Sequence, residues 1–386
     1  MPPTAPLLRN ALDLASVCDH LRAGGVAALD TEFVWNRTYR PRMGLVQLGS
    51  AAGEGWALDC TTGASTAPLA DLLRDASCVK ILHAAQQDLE HLAAYAHATP
   101  LRVFDTAIAA GFAGFPAGIG LQKLLAEALG IGLPKTETLT DWCRRPLTPQ
   151  QIEYALDDVR HLAALRVELL ARAGRLGTAA WLAEDLARFD DPSRYAPQEP
   201  DAAWLRVKGA GRLDAPARAI LRAVAAVRER TASEWNLPRN WLGDDESLVG
   251  MALRRPANAD DVRLRHRLRQ PGQRIAVAHR YAEAIQSALA SPPGTWPADH
   301  ARGLAPDDRD RVDRAMGFVR ERAAELHVAP ELLATRAAVT DFLRDPDDSG
   351  SPLATGWRRD AIANDLARRF AFPSGGVPRQ PELSLG

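Results

Sequence analysis

The pattern of apolar and polar residues predicts a mixed α/β sheet in the first half of the chain. Residues 26–33 form an apolar strand that ends in polar positions, and residues 43–48 and 56–59 follow across short links that contain glycine. Such spacing is typical of an antiparallel meander. Residues 79–83 and 101–104 are two further strands with a helical repeat of leucine and alanine between them, which predicts a βαβ unit. Together these elements indicate one mixed sheet with helices on its outside.

Helical periodicity accounts for most of the remaining chain. A helix over residues 10–24 ends at paired glycines, and further helices are expected after residue 84, over 120–130 and after Thr148, which begins a capping box. Beyond residue 200 the pattern is helical throughout. The tetrapeptide Val-Arg-Glu-Arg occurs at 227–230 and at 319–322, and a proline follows each copy at the same offset. This repeat predicts two related helical modules.

Breaks rich in proline and glycine set the expected domain boundaries. We predict an α/β domain over 1–195, a linker over 196–210, one helical domain over 211–291, a second over 303–373 and a flexible tail over 374–386. The first helical module carries 16 Lys and Arg against 10 Asp and Glu between 201 and 290, which hints at a polyanionic partner.

Composition excludes several classes of protein. Hydrophobic residues make up 46% and charged residues 25% of the chain, as is normal for soluble domains. No apolar run of about 18 residues exists, so no membrane span is expected. The four cysteines are scattered without a Cys-x-x-Cys pair, which argues against a zinc site or a disulfide framework and favours the cytoplasm. Nothing in the pattern indicates an oligomer, and we expect a monomer.

Acidic residues at the ends of the predicted elements are the candidate chemistry. Asp30 and Glu32 are two apart on a strand and therefore point to one face. On their own they are better explained as a solvated strand end. Asp88 at the start of a helix and Asp158 on the capped helix could converge on the same edge of the sheet. Four such carboxylates can hold two divalent metals about 4 Å apart, one activating water and one stabilising a leaving oxygen. Magnesium or manganese suits these hard oxygen ligands.

Tyr154 precedes Asp158 by four residues and so lies on the same face of its helix. Its hydroxyl could orient the attacking water, although a half-buried aromatic on an amphipathic helix would look the same in sequence.

Three motifs together resemble the ribonuclease D family of exonucleases. The first motif comprises residues 30–33, 39–41 and 45–48, the second residues 83–89, and the third residues 141–142 and 145–148 leading into 154–159. The third contains the Tyr-x-x-x-Asp spacing of the DEDDy subgroup. Residues 237–241 and 328–334, with 356–358, resemble paired HRDC domains.

The resemblance implies an RNase H-like exonuclease fold and a metal-dependent 3′→5′ exoribonuclease that trims the 3′ ends of tRNA precursors and other structured small RNAs and releases nucleoside 5′-monophosphates. Its RNA partner would present a single-stranded 3′ end. It implies that the metal ligands are Asp30, Glu32, Asp88 and Asp158, with Tyr154 orienting the water. Asp157 would face away, and Asp105 is better explained as a helix cap.

Other residues are placed to contact the substrate. Phe33 or Trp35 could stack on the terminal base, with core packing an equal alternative for Phe33. Phosphate or sugar could be contacted by His83, Gln87, Lys135 and Arg145, of which Arg145 could equally be structural. A candidate phosphate-binding surface on the first helical module, or else a solvated face, is formed by Arg263, Arg265, Arg267 and Arg269.

Two other functions remain open from sequence. A DNA-directed DEDDy exonuclease would need the same carboxylates, because the two-metal chemistry does not require a 2′-hydroxyl. A nucleic-acid-binding scaffold without activity would be indicated by the loss of a metal ligand, and all are present.

Overall fold

The computed structural model describes residues 6–35, 37–134, 140–197, 199–297 and 306–372. Its centre is a six-stranded mixed sheet in the order β1-β4-β3-β2-β5-β6. The strands are β1 (Leu7–Leu8), β2 (Val26–Val34), β3 (Arg42–Gly49), β4 (Gly55–Asp59), β5 (Val79–Leu82) and β6 (Val103–Asp105).

The pairing of the strands confirms the predicted topology. β2, β3 and β4 form an antiparallel meander, while β5 and β6 continue the sheet in parallel with β2. The two-residue strand β1 pairs in parallel with β4 and was not predicted, since it is too short to show a periodicity.

Eight helices surround the sheet in the described part of this half. They are α1 (Ala11–Ala23), α2 (Ala67–Arg74), α3 (Gln86–Ala96), α4 (Thr106–Phe112), α5 (Leu121–Leu129), α6 (Pro149–Arg160), α7 (Leu162–Leu176) and α8 (Ala179–Ala187). The predicted capping box is present at the start of α6, where Thr148 and Gln151 exchange side-chain and backbone hydrogen bonds. Helix α6 therefore begins at a fixed residue, which sets the positions of Tyr154 and Asp158 along it.

Two glycines let α6 and the segment before it lie directly against β3. A Cβ atom at Gly49 would approach the carbonyl oxygen of Val159 to 2.8 Å, and one at Gly44 would approach that of Trp142 to 2.5 Å. Both distances are too short for any larger side chain. The helix that bears Asp158 is thus brought close to the strand pair that bears Asp30 and Glu32.

The first helical module has a core of its own. It contains α9 (Ala215–Glu234), α10 (Asp245–Arg254) and α11 (Pro271–Ala290). Described residues of the predicted linker, 196–210, pack into this core, among them Ala203, Val207 and Ala210. Residues Pro200–Arg206 form a 3₁₀ helix whose Trp204 is buried in the same core as α9. Asp201 and Arg206 are exposed on this turn, whereas Ala203 and Trp204 are buried.

The second helical module shares its core with the α/β domain. It consists of α12 (Pro306–Glu325), α13 (Pro330–Leu333), α14 (Arg336–Arg344), α15 (Gly356–Arg358) and α16 (Asn364–Phe370), and its buried residues join the cluster under the sheet. Trp357 stacks on Trp181 of α8, with ring centroids 4.9 Å apart. The carboxylate of Asp185 accepts hydrogen bonds from the Trp357 indole at 2.9 Å and from the Arg358 guanidinium at 2.7 Å. The predicted tail, 374–386, lies outside the described residues.

Among the described helices, none has the length and apolar character needed to cross a membrane. All four cysteines are described, and all are free thiols.

Candidate active site

The β2–β3 register places Asp30 and Glu32 on the face of the sheet that α6 covers. Asp30 lies opposite Gln47 and Glu32 opposite Leu45, and the Leu45 side chain is buried against α6. Asp158 projects from α6 towards the same place. Carboxylate oxygens of Asp30, Glu32 and Asp158 lie within 4.8 Å of one another. The expected convergence of these three acids is therefore present.

Asp88 lies beside this group without belonging to it. Its carboxylate accepts a hydrogen bond from the hydroxyl of Thr31, which points to the other face of β2. Asp88 is near enough for its charge to contribute to the raised pKa of Asp30. The structure thus brings three of the four predicted carboxylates into one set and holds the fourth next to it.

The acids of the site favour their protonated forms. Burial raises the pKa of Asp30 well above its usual range, and the charges of Asp88, Asp158 and Glu32 raise it further. Burial and the charges of Asp158 and Asp88 raise the pKa of Glu32 to about 8. Burial, with a contribution from Asp157, raises the pKa of Asp158 to about 7. Like charges held close together out of water need protons or a cation between them.

Tyr154 lies next to these acids. Burial raises the pKa of its hydroxyl to about 12, and the charges of Asp158, Glu32 and Asp30 add to that effect. Its ring stacks on Trp142, with centroids 6.0 Å apart and planes 19° apart. The tyrosine therefore stays neutral and is held in place beside the carboxylates, where a phenol can donate or accept a hydrogen bond.

Phe33 and Trp35 form an aromatic cluster at the end of β2. Their ring centroids are 6.2 Å apart, and both rings contact His91, at 4.4 Å from Phe33 and 5.7 Å from Trp35. Phe33 is half-buried and packs on the core, whereas Trp35 is 49% exposed. A role for His91 was not predicted from the sequence. This residue follows Asp88 by three residues on α3, and this helical spacing was the available signal.

Two residues predicted to contact substrate are engaged by the protein instead. The guanidinium of Arg145 pairs with buried Asp59 and also donates to the carbonyl oxygens of Trp142 and Gly44. The ring nitrogens of His83 lie 2.9 Å from the Thr106 hydroxyl and 3.1 Å from the Ile119 carbonyl oxygen. Both side chains therefore support the fold around the site. Burial also lowers the pKa of His83.

Gln87 is exposed at the start of α3, so its side chain is accessible to a ligand. Lys135 lies outside the described residues.

Asp105 is a helix cap, as predicted, and it also binds the turn before α3. It accepts hydrogen bonds from the backbone of Ala107 and Ile108 in α4 and also from Ala84 and Ala85. The latter pair leads into α3, so Asp105 fixes the turn that positions Asp88. Asp157 pairs with Arg160 at 3.0 Å on α6, in keeping with its predicted place outside the site.

The predicted arginine surface lies on the first helical module. Arg263 and Arg265 line a cleft of about 450 Å³ together with Arg254 and Arg274, and Arg267 and Arg269 are exposed nearby. Glu246 pairs with Arg265 at 2.7 Å at its edge. The cleft carries a positive balance and is separate from the acidic site.

The acidic site suits a divalent cation. Three carboxylates that converge within 4.8 Å, each with a raised pKa, supply the hard oxygen ligands that magnesium and manganese prefer. Among the described residues these acids form the one group of at least three His, Cys, Asp or Glu side chains close enough to hold a metal.

Comparison with known proteins agrees with this geometry. Residues 8–172 match a family model described as a 3′-5′ exonuclease. The chain is 35% identical to ribonuclease D of Gluconacetobacter diazotrophicus over 371 residues, covering 94% of this chain and 92% of that protein. It is 33% identical to ribonuclease D of Pseudomonas paraeruginosa, covering 94% and 97%. The structure matches the crystal structure of Escherichia coli RNase D, described as an exoribonuclease involved in structured RNA processing, with a TM-score of 0.83, 28% identity and coverage of 95% and 98%.

These relatives extend over nearly the whole chain and share its RNase H-like α/β exonuclease fold. The chain belongs to the ribonuclease D family and is a 3′→5′ exoribonuclease.

Proposed function

We propose that this exoribonuclease is a DEDDy enzyme that uses two divalent metal ions, magnesium or manganese, to release nucleoside 5′-monophosphates. The observation that carries the proposal is the convergence of Asp30, Glu32 and Asp158 within 4.8 Å, with Asp88 alongside. These four residues would hold the ions. When bound, the ions supply activation of water and stabilisation of the leaving 3′ oxygen.

The chain's own residues do the remaining work. Tyr154, neutral and stacked on Trp142, orients the attacking water through its hydroxyl. Trp35 and Phe33 stack on the terminal base, and exposed Gln87 contacts the terminal sugar or phosphate. His91 supports the two aromatic rings through edge-on contacts. The Arg145–Asp59 pair holds the segment before α6 against β3, so that Asp158 faces the strand acids.

We propose that the natural substrates are tRNA precursors and other structured small RNAs with single-stranded 3′ ends, processed in the cytoplasm by a monomer. The two helical modules would be HRDC domains, with the first beginning near residue 200. The arginine-lined cleft of the first module would contact phosphates of the RNA body.

The test uses a 5′-labelled tRNA precursor with a 3′ extension and a DNA of the same sequence. Stepwise loss of the RNA extension that stops near the acceptor stem, with nucleoside 5′-monophosphates as products, is the expected result. Equal or faster shortening of the DNA would favour a DNA-directed exonuclease. Binding without shortening of either would favour a scaffold.

A further inference from the structure

The connection from β2 to β3 exposes an aromatic ring and two arginine side chains next to the active site. It leaves β2 directly after the metal-binding positions and carries Trp35, Arg37 and Arg40, all exposed. Neither arginine side chain has a hydrogen bond or ion pair with the residues that the structure describes. An exposed aromatic ring with nearby free cations is the combination that proteins use to bind single-stranded nucleic acid.

The middle of this connection is fastened to the first helical module. The Tyr39 backbone N–H donates to the side-chain oxygen of Asn236 at 3.2 Å. The guanidinium of Arg239 lies over the Tyr39 ring, 4.6 Å from its centroid. The Tyr39 ring also packs against the module's core. We call this set of contacts the latch.

The latch is anchored from the module's side by a buried charge. Arg239 donates to both carboxylate oxygens of Glu229, which is only 5% exposed. A buried carboxylate needs its cationic partner, so the guanidinium is held in one place. Burial and the charge of Glu229 raise the pKa of Tyr39, which therefore stays a neutral ring under the cation. The loop that leaves the active site thus rests on a fixed support that is almost 200 residues away in sequence.

We propose that Trp35 and residues 37–41 guide the single-stranded 3′ tail into the active site, with Arg37 and Arg40 contacting its backbone phosphates, and that the first helical module holds this guide in position through the latch. The ligand is the phosphodiester backbone a few nucleotides from the cleaved end. This inference rests on the proposed function, because it assumes that the tail reaches the carboxylates of Asp30, Glu32 and Asp158. It gives the first module a role in positioning the catalytic domain's loop, in addition to any contact of its own with RNA.

The test measures trimming of a tailed RNA and hydrolysis of a chromogenic p-nitrophenyl ester of a nucleoside 5′-monophosphate, which has no tail. The double variant Arg37→Ala with Arg40→Ala should lower kcat/KM on RNA by roughly tenfold or more, mainly through KM. The slope of log kcat/KM against log salt should become shallower by about 0.7 for each lost phosphate contact. Hydrolysis of the ester should not change. Arg175→Ala, which removes one arginine at an exposed position on α7, should behave as the parent.

Latch variants test the second half of the proposal. Tyr39→Ala should raise KM for the tailed RNA by roughly tenfold and leave ester hydrolysis intact. Tyr39→Phe keeps the ring and the backbone N–H and should resemble the parent. Asn236→Gly removes only the acceptor, because glycine suits its φ of 48°, and should raise KM by a smaller factor. A change in fold would appear as a lowered melting temperature.

The inference is overturned if the double arginine variant keeps the parent's KM and salt slope, or if Tyr39→Ala loses RNA trimming and ester hydrolysis to the same extent. A parent protein that hydrolyses neither substrate would instead overturn the proposed function.

Discussion

At the scale of single residues, the active site holds several carboxylates so close together that their negative charges repel one another. Asp30, Glu32 and Asp158 share one small volume, and each has a raised pKa. Without a cation the folded protein reduces this repulsion by binding protons. A divalent ion would replace those protons, so metal binding and proton release are coupled at this site.

This coupling predicts how the stability of the metal-free protein depends on pH. The folded-state pKa values of these acids lie above the ordinary carboxyl values of about 4, so the folded protein binds more protons than the unfolded chain between about pH 4 and pH 8. Stability should therefore fall as pH rises through this window. In EDTA at pH 8, Asp30→Asn should raise the melting temperature by about 2 °C or more, and magnesium should do the same for the parent.

Thermal unfolding followed by circular dichroism at several pH values measures this effect. A control is Asp341→Asn, which removes an exposed acid of the second helical module that pairs with Arg344. If Asp30→Asn melts at or below the parent's melting temperature in EDTA at pH 8, repulsion among these carboxylates does not destabilise the metal-free protein.

Tyr154 gives a second residue-scale prediction. If its hydroxyl orients the attacking water, Tyr154→Phe should lower kcat on RNA by roughly a hundredfold, the usual effect of removing one oriented hydrogen-bonding group, and leave KM nearly unchanged. The phenylalanine ring keeps the stack on Trp142, so the fold should not change. Steady-state kinetics checks this result, and a parent-like kcat would leave the tyrosine with a packing role only.

At the scale of elements, the position of α6 on the sheet decides whether the acids meet. The helix starts at the Thr148 capping box and lies directly on β3 because Gly49 has no side chain. Asp158 then faces Asp30 and Glu32 across that contact. The geometry of the site is thus a consequence of one close approach between a helix and a strand.

Gly49→Ala should push α6 away from β3. Its Cβ would meet the backbone oxygen of Val159 at 2.8 Å, and such overpacking costs about 1–3 kcal/mol of unfolding free energy. RNA trimming should fall even under conditions in which the variant remains folded, because Asp158 moves with the helix. Gly174→Ala, in the last turn of α7 with open space around it, should cost nothing. Denaturant unfolding and RNA trimming measured on both variants check this, and equal behaviour of the two would contradict it.

The sequence predicted those parts of the site that depend on local periodicity. Alternation along β2 put Asp30 and Glu32 on one face, and the capping box gave the register of Tyr154 and Asp158. It could not predict that Thr31 would hold Asp88, or that Asp59 would engage Arg145, because these contacts join residues from elements far apart in the chain. His91 was missed for the same reason, since its role depends on two rings at the end of another element.

At the scale of the whole molecule, the two helical modules relate differently to the α/β domain. The first has its own core and contacts the domain at the Tyr39 loop. The second continues the domain's core through Trp357, Arg358 and Asp185. The two modules share a sequence repeat but differ in structural role: the first supports a loop of the α/β domain, and the second forms part of that domain's core.

The second interface depends on Asp185. Asp185→Asn cannot form the ion pair that now binds Arg358, and breaking a buried pair on one side costs about 3 kcal/mol or more. We expect a lower midpoint in denaturant and a single transition, since the two parts share a core. Asp341→Asn, which breaks an exposed pair with Arg344, should change stability by less than about 0.5 kcal/mol. A parent-like midpoint for Asp185→Asn would show that the interface does not hold the module in place.

The most direct test of the central claim compares neighbouring acids on one helix. The parent, Asp158→Asn and Asp157→Asn would each be given a 5′-labelled RNA with a single-stranded 3′ tail, in magnesium, manganese or EDTA. We predict stepwise 3′ shortening by the parent and by Asp157→Asn that requires metal, and a loss of roughly a thousandfold or more in Asp158→Asn. Shortening that persists in EDTA, or equal activity of the two variants, would contradict a metal-dependent site built on Asp30, Glu32 and Asp158.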